Sequence, residues 1–225
     1  MPVLEDIDVL RDVERGGVPA HVLRREKLVA LRAEAIAMVR DLGLAQGRAS
    51  WRIAPLDSEP QDGWLQVDGH RLNAPRLVPA SGQLTSVACA AATMGAGLER
   101  QVAQLFEQRR VSLAVALDGV ANEMLFALSR RLQDRILAAA RRQGLTVAGE
   151  LRAGDPGLDL QAQQTVLDLA GAQALGLGLT RTLMMNPAKS TSFVLGVGLQ
   201  LPLQTWSRCD SCASRKRCTL AGGAR

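Results

Sequence analysis

Three cysteines toward the C-terminal end, Cys209-x-x-Cys212 followed after five residues by Cys218, form the most pointed chemical pattern in the chain. In a reducing compartment such spacing favours a metal or redox site over structural disulfides. Three thiolates hold zinc with a fourth ligand drawn from elsewhere, or an iron–sulfur cluster with an open corner; reduced, ligand-free thiols are the alternative. Arg208, Arg215, Lys216 and Arg217 surround them, and that charge lowers thiol pKa values and offsets thiolates. The remaining cysteine, Cys89, stands in an apolar run and reads as a small buried residue. Only His21 and His70 are present, and no Gly-x-x-x-x-Gly-Lys loop occurs, which argues against a serine–histidine hydrolase or a nucleotide phosphatase. Gly176-x-Gly178 falls between a helix and a strand, the wrong order for a dinucleotide fingerprint.

The elements that position these residues follow from hydrophobic period and turn chemistry. Val22 to Leu42 has apolar residues at helical spacing and stops at Gly43. Asp68-Gly69 is a tight turn between Trp64-Leu65-Gln66-Val67 and His70-Arg71-Leu72, a small hairpin. Leu84 to Thr93 reads as a buried strand that feeds a helix starting near Gly97 and covering Leu98 to Arg109. Val111 to Gln143 keeps a helical period through Leu113, Leu117, Val120, Met124, Leu128, Leu132 and Ile136, and Gly144 ends it. A short strand, Leu145 to Leu151, runs into the punctuated loop Arg152-Ala153-Gly154-Asp155-Pro156-Gly157. A helix over Leu160 to Leu175 follows, stopped by Gly176. Extended segments at Leu177 to Met185 and Thr191 to Leu203 flank a turn at Asn186 to Ser190. Strands mixed with long helices, without regular alternation, imply an α+β fold with an antiparallel sheet. We read residues 1–225 as one domain, with 1–45 an N-terminal helical segment and 206–225 a Cys-rich basic tail.

Charge narrows the partners. The net charge of +5 comes from 27 Lys plus Arg against 22 Asp plus Glu, while three Trp, three Phe and no Tyr leave little for base stacking. No nucleic-acid partner is expected; a solvated basic surface or an acidic protein partner is. Apolar runs in the long helix are interrupted by Asp118, Asn122, Glu123 and Arg130, so no membrane span is expected. The start carries Glu5, Asp6, Asp8, Asp12 and Glu14 instead of a basic, then apolar, leader, which points to the cytoplasm.

The order of short motifs in the second half carries a resemblance. Leu117-Asp118-Gly119 with Glu123 precedes Arg152 and Pro156-Gly157; then come Gln163, Ala174-Leu175-Gly176-Leu177, Leu179-Thr180 and Met184-Met185-Asn186-Pro187-Ala188-Lys189-Ser190-Thr191-Ser192. Upstream stand Thr93, Gly95 and Glu99. This series, spanning Leu84 to Gly198 and more loosely the whole chain, resembles the activation (reactivation) domain family of cobalamin-dependent methionine synthase. That family has an Arg-x-x-Pro-Gly-Tyr-like loop, a Gln-bearing helix, an Ile-Gly-Val-x-Leu-Thr-like strand and a Met-x-Pro-x-x-Ser-x-Ser-like turn.

The resemblance implies a free-standing reactivation component that binds S-adenosylmethionine while cob(II)alamin, carried by a partner methyltransferase, is reduced by a flavodoxin- or ferredoxin-like donor and remethylated. It implies that Arg152, Gly154, Pro156 and Gly157 form the binding loop, with Arg152 on the ligand's carboxylate. Glu123 and Asp118 would balance its positive charges, and Cys209, Cys212 and Cys218 fit the Cys-rich end of short family members. Two rival readings are a non-catalytic partner of the corrinoid protein and an iron–sulfur protein that reduces it. One departure is plain: Leu158 stands where the family has Tyr, and Arg152 lies one residue further from the proline.

Overall fold

The computed structural model describes residues 3–202. In chain order the elements are β1 (Val3–Asp8), α1 (Leu10–Arg15), α2 (Ala20–Leu23), α3 (Glu26–Asp41), β2 (Gln46–Pro55), β3 (Trp64–Val67), β4 (His70–Asn73), β5 (Gln83–Thr93), α4 (Gly97–Glu107), α5 (Val111–Arg142), β6 (Thr146–Leu151), α6 (Ala162–Ala170), β7 (Gly178–Leu179), β8 (Met185–Asn186) and β9 (Ser190–Leu199). Short 3-10 turns occupy Pro75–Leu77 and Ala172–Leu175. The main sheet has five strands in the order β1-β2-β5-β9-β6, and every neighbouring pair is antiparallel. The architecture is α+β with an antiparallel sheet, as the mix of patterns implied.

Burial explains the layers. Along β5, Ala88, Ala90 and Ala92 join the core built with α3, α4 and α5, whereas Val87, Cys89 and Ala91 join the one built with the β3–β4 hairpin and α6. A central strand covered on both faces reads as an unbroken apolar run, which is why Leu84 to Thr93 shows no polar alternation. The helix layer is dominated by α5: Leu113, Leu117, Val120, Met124, Leu128, Leu132 and Ile136 are all buried. Contrary to the sequence reading, α5 is long and apolar enough to cross a membrane by length and composition alone. Here its apolar face packs into the core with Phe193, Leu195 and Val197 of β9.

Three boundaries differ from the periodicity reading. The N-terminal segment opens with β1 before its helices, and the helix placed over Val22 to Leu42 is split, with Arg25 extended at φ −143° ahead of α3. The helix placed over Leu160 to Leu175 stops at Gly171, whose φ of 68° is left-handed, and continues as a 3-10 turn. Both pieces feed one core, through Val166, Leu167, Ala172 and Leu175, so their apolar spacing mimics a single helix. The extended stretch Leu177 to Met185 contains only the two-residue strands β7 and β8.

Candidate functional site

At one end of β9 the chain departs from regular pairing, and the sequence motifs converge there. β6 pairs with β9 as far as Leu151 opposite Val194. Arg152 then turns its main chain onto itself: its N–H donates to Asp155 Oδ2 at 2.9 Å, and its carbonyl accepts the Asp155 N–H at 2.8 Å. Gly154 and Gly157 take φ of 91° and 93°. A Cβ on Gly157 would lie 2.9 Å from the Arg76 side chain, so both the backbone angle and the space call for glycine. Pro156 is exposed between them.

The Arg152 side chain is oriented by a polar network. Nε and Nη2 donate to Glu150 Oε1 at 3.0 and 2.9 Å, Nη1 to Thr191 Oγ1 at 2.9 Å, and Nη2 also to Ser129 Oγ at 3.4 Å. Gln133 Nε2 donates to the second Glu150 oxygen at 2.8 Å. Four of the five guanidinium N–H groups are thereby used and one is left. Sequence reasoning missed Glu150, although an acid two residues before Arg152, at the end of a predicted strand, was the available signal.

Facing this loop is the segment between β8 and β9. Glu99, in the first turn of α4, accepts the main-chain N–H groups of Ala188 and of Lys189, the latter at 3.1 Å. The Ser190 hydroxyl lies 2.8 Å from Thr93 Oγ1 and 2.6 Å from the Pro187 carbonyl. Lys189 Nζ contacts Asp118 Oδ1 at 2.6 Å and Asn122 Oδ1 at 2.8 Å. Thr93 and Glu99, picked out in the sequence as part of one motif, thus meet on the turn that the Met-Asn-Pro-Ala-Lys-Ser stretch forms.

Between the two segments lies a cavity of about 290 Å³, lined by Arg152, Ala153, Leu160, Gln163, Leu183 to Met185, Ala188 and Ser190 to Ser192. Leu183 holds a φ of 62°, unusual for a bulky residue, and Met184 is 62% exposed at the lip. Gln163 is 5% exposed and Ser192 3%. Neither side chain has a hydrogen-bond partner among the described residues, so polar capacity is stored in the wall of an otherwise apolar hollow.

The structure therefore brings Arg152 to the cavity and makes Gly154, Pro156 and Gly157 the turn behind it. Asp118 stays one step away, holding Lys189 at the base of the facing segment. Glu123 is not among the lining residues. Its carboxylate forms a fork with Arg32, with Nη2 to Oε2 at 2.6 Å and Nε to Oε1 at 3.3 Å. Arg32, only 7% exposed, also donates to the carbonyls of Val13 and Gly17. That buried cation requires its acid, so Glu123 ties α5 to α3 and to the chain before α2. Leu158, at the Tyr position of the resembling family, is 1% exposed and packs into the α6-side core. Among the described residues no group of three or more His, Cys, Asp or Glu is placed to hold a metal; Cys209, Cys212 and Cys218 lie outside them. Cys89 is fully buried, and burial pushes its thiol up to about 12 against the opposing charge of Arg52.

No family model matches this sequence, and no curated protein does. Among solved structures the chain is similar to the one described as "Crystal Structure of the MetH Reactivation Domain bound to AdoHcy", with a TM-score of 0.64. The match covers 99% of this chain and 88% of that one at 12% identity. At that identity the likeness shows the fold.

Proposed function

We propose that this chain is a reactivation component for a cobalamin-dependent methyltransferase of the methionine synthase kind, and that its cavity takes S-adenosylmethionine. The observation that carries the reading is the cavity at the end of β9, where Arg152 stands beside the unpartnered Gln163 and Ser192. The similarity in fold to a reactivation domain solved with AdoHcy supports it. When bound, S-adenosylmethionine supplies a sulfonium methyl group to the reduced cobalt of cobalamin on the partner, with the electron from a flavodoxin- or ferredoxin-like donor.

The chain's own part is placement. Arg152, prealigned by Glu150, offers its remaining N–H to the ligand's carboxylate. Gly154, Pro156 and Gly157 keep the loop backbone close, and Asp118 acts through Lys189 on the opposite wall. Calorimetric titration with S-adenosylmethionine, run anaerobically, tests this. Saturable binding is expected, and Arg152→Ala should weaken it by about 2 kcal/mol, roughly 30-fold. Unchanged affinity removes Arg152 from the site.

A second reading is favoured by Leu158, whose burial leaves the loop without the aromatic face that the resembling family presents. In that case the chain is a non-catalytic partner of the corrinoid protein, and the titration shows no heat while the corrinoid protein still binds. For the cysteine tail we keep the proposal of zinc or an iron–sulfur cluster on Cys209, Cys212 and Cys218. Stoichiometric metal in the same sample, lost in Cys212→Ser, is the expected result; a metal-free or unaffected protein ends it.

A further inference from the structure

The register of β9 leaves one rung of the ladder unpaired beside the cavity. In an antiparallel pair, successive residues turn their main-chain N–H and C=O alternately to one neighbour and the other. The Met94 N–H donates to the Lys189 carbonyl at 2.9 Å, and the pairing runs unbroken from Thr93 opposite Ser190 to Ser86 opposite Val197. Lys189, Thr191 and Phe193 therefore face β5, and Ser190, Ser192 and Val194 face β6. Val194 meets Leu151, the last paired residue of β6. Ser192 comes next, and Ala153, which would stand opposite it in that register, has left the ladder because Arg152 turns both of its main-chain groups onto Asp155. No described residue bonds the Ser192 N–H or C=O on that side. The outcome is one free rung of a sheet ladder, opening into a cavity beside Arg152.

We infer that this rung, at Ser192, is the recognition element for an α-amino-acid head group. A zwitterionic amino acid presents a carboxylate that accepts the Ser192 N–H and the remaining Arg152 donor, and an ammonium that donates to the Ser192 carbonyl. The Gln163 side chain, which lines the cavity and has no hydrogen-bond partner among the described residues, can serve either group. Both ends of the head are then satisfied without a carboxylate side chain in the cavity, which matters because Glu123 is committed to Arg32 and Asp118 to Lys189. Size agrees with a partial ligand: about 290 Å³ lies just below the range of whole-ligand pockets, roughly 300–1,000 Å³. It houses an amino-acid end, while the nucleoside would extend past Met184.

The inference rests on the proposed S-adenosylmethionine site, and the test separates the two. The full chain, labelled with nitrogen-15, is titrated with S-adenosylmethionine, S-adenosylhomocysteine and 5′-methylthioadenosine, which lacks the amino-acid end. Affinity is measured for each, with amide hydrogen exchange read at Ser192. The expected result is binding of the first two, at least tenfold weaker binding of the third, and Ser192 exchange slowed about tenfold or more by the first two alone. If S-adenosylmethionine binds while Ser192 exchange is unchanged, or if 5′-methylthioadenosine binds as well, the rung is not the recognition element and the site reading stands. If none of the three binds, both fall.

Discussion

Arg152 illustrates how a residue legible by type becomes intelligible only by its neighbours. Its place before a Gly-Asp-Pro-Gly loop marked it in the sequence, but the acid that aims it, Glu150, and the hydroxyls of Ser129 and Thr191 come from three elements. Glu123 shows the reverse. Its helical position drew it into the ligand reading, but the group it meets, a buried Arg32 some 91 residues earlier, is a tertiary fact that no local pattern carries. Cys89 was readable from its apolar run, and its chemistry follows from burial. The native thiol gives up its proton only near pH about 12, whereas the unfolded chain does so at about 8.5. Folding therefore opposes ionisation, and this group's contribution to stability is lost as the pH climbs through that window. With the tail cysteines replaced by serine, alkylation of Cys89 by iodoacetamide at pH 8 should be about 100-fold slower in the native protein than in urea. Equal rates would mean that the strand opens freely.

Among the elements, those with an unambiguous period were read correctly and those shaped by sheet edges or breaks were not. α5 and β5 have long, regular burial patterns, and their limits fell within one or two residues of the expected ones. β1 carries three acids in six residues, a bulge between Leu4 and Ile7, and Asp6 at φ 54°. These features keep an exposed edge from pairing with another chain, and they also hide the strand from a pattern search. The break at Gly171 was missed because the apolar spacing continues through it. Since Gly171 is left-handed at φ 68°, Gly171→Ala should destabilise the protein by about 1–2 kcal/mol in urea unfolding. A neutral result would mean that the 3-10 turn rearranges into helix without loss.

For the molecule as a whole, the fold class was accessible because layer architecture depends on the mix of periods, and the segments that meet around the cavity were legible as motifs spread from Thr93 to Ser192. The cavity itself was not, since it exists only where β6 ends short of β9. Binding at such a place couples the ligand to the entire fold. If S-adenosylmethionine binds the native state alone, a concentration 100 times its Kd should raise the unfolding free energy by about 2.7 kcal/mol. Matched denaturant curves with and without ligand check this, and coincident curves mean that no native-specific site exists.

The sheet order carries a consequence for biosynthesis. β9, the last of the strands in the chain, lies between β5 and β6, more than one hundred residues after the start of β5. While the chain is being made, β5 waits with one edge bare and β6 has no partner in the sheet at all. Such non-local closure is slow and exposes strand edges to other chains. The half-made protein is therefore the form most dependent on chaperones, and a stop anywhere within residues 190–199 leaves two sticky edges in place of one finished sheet.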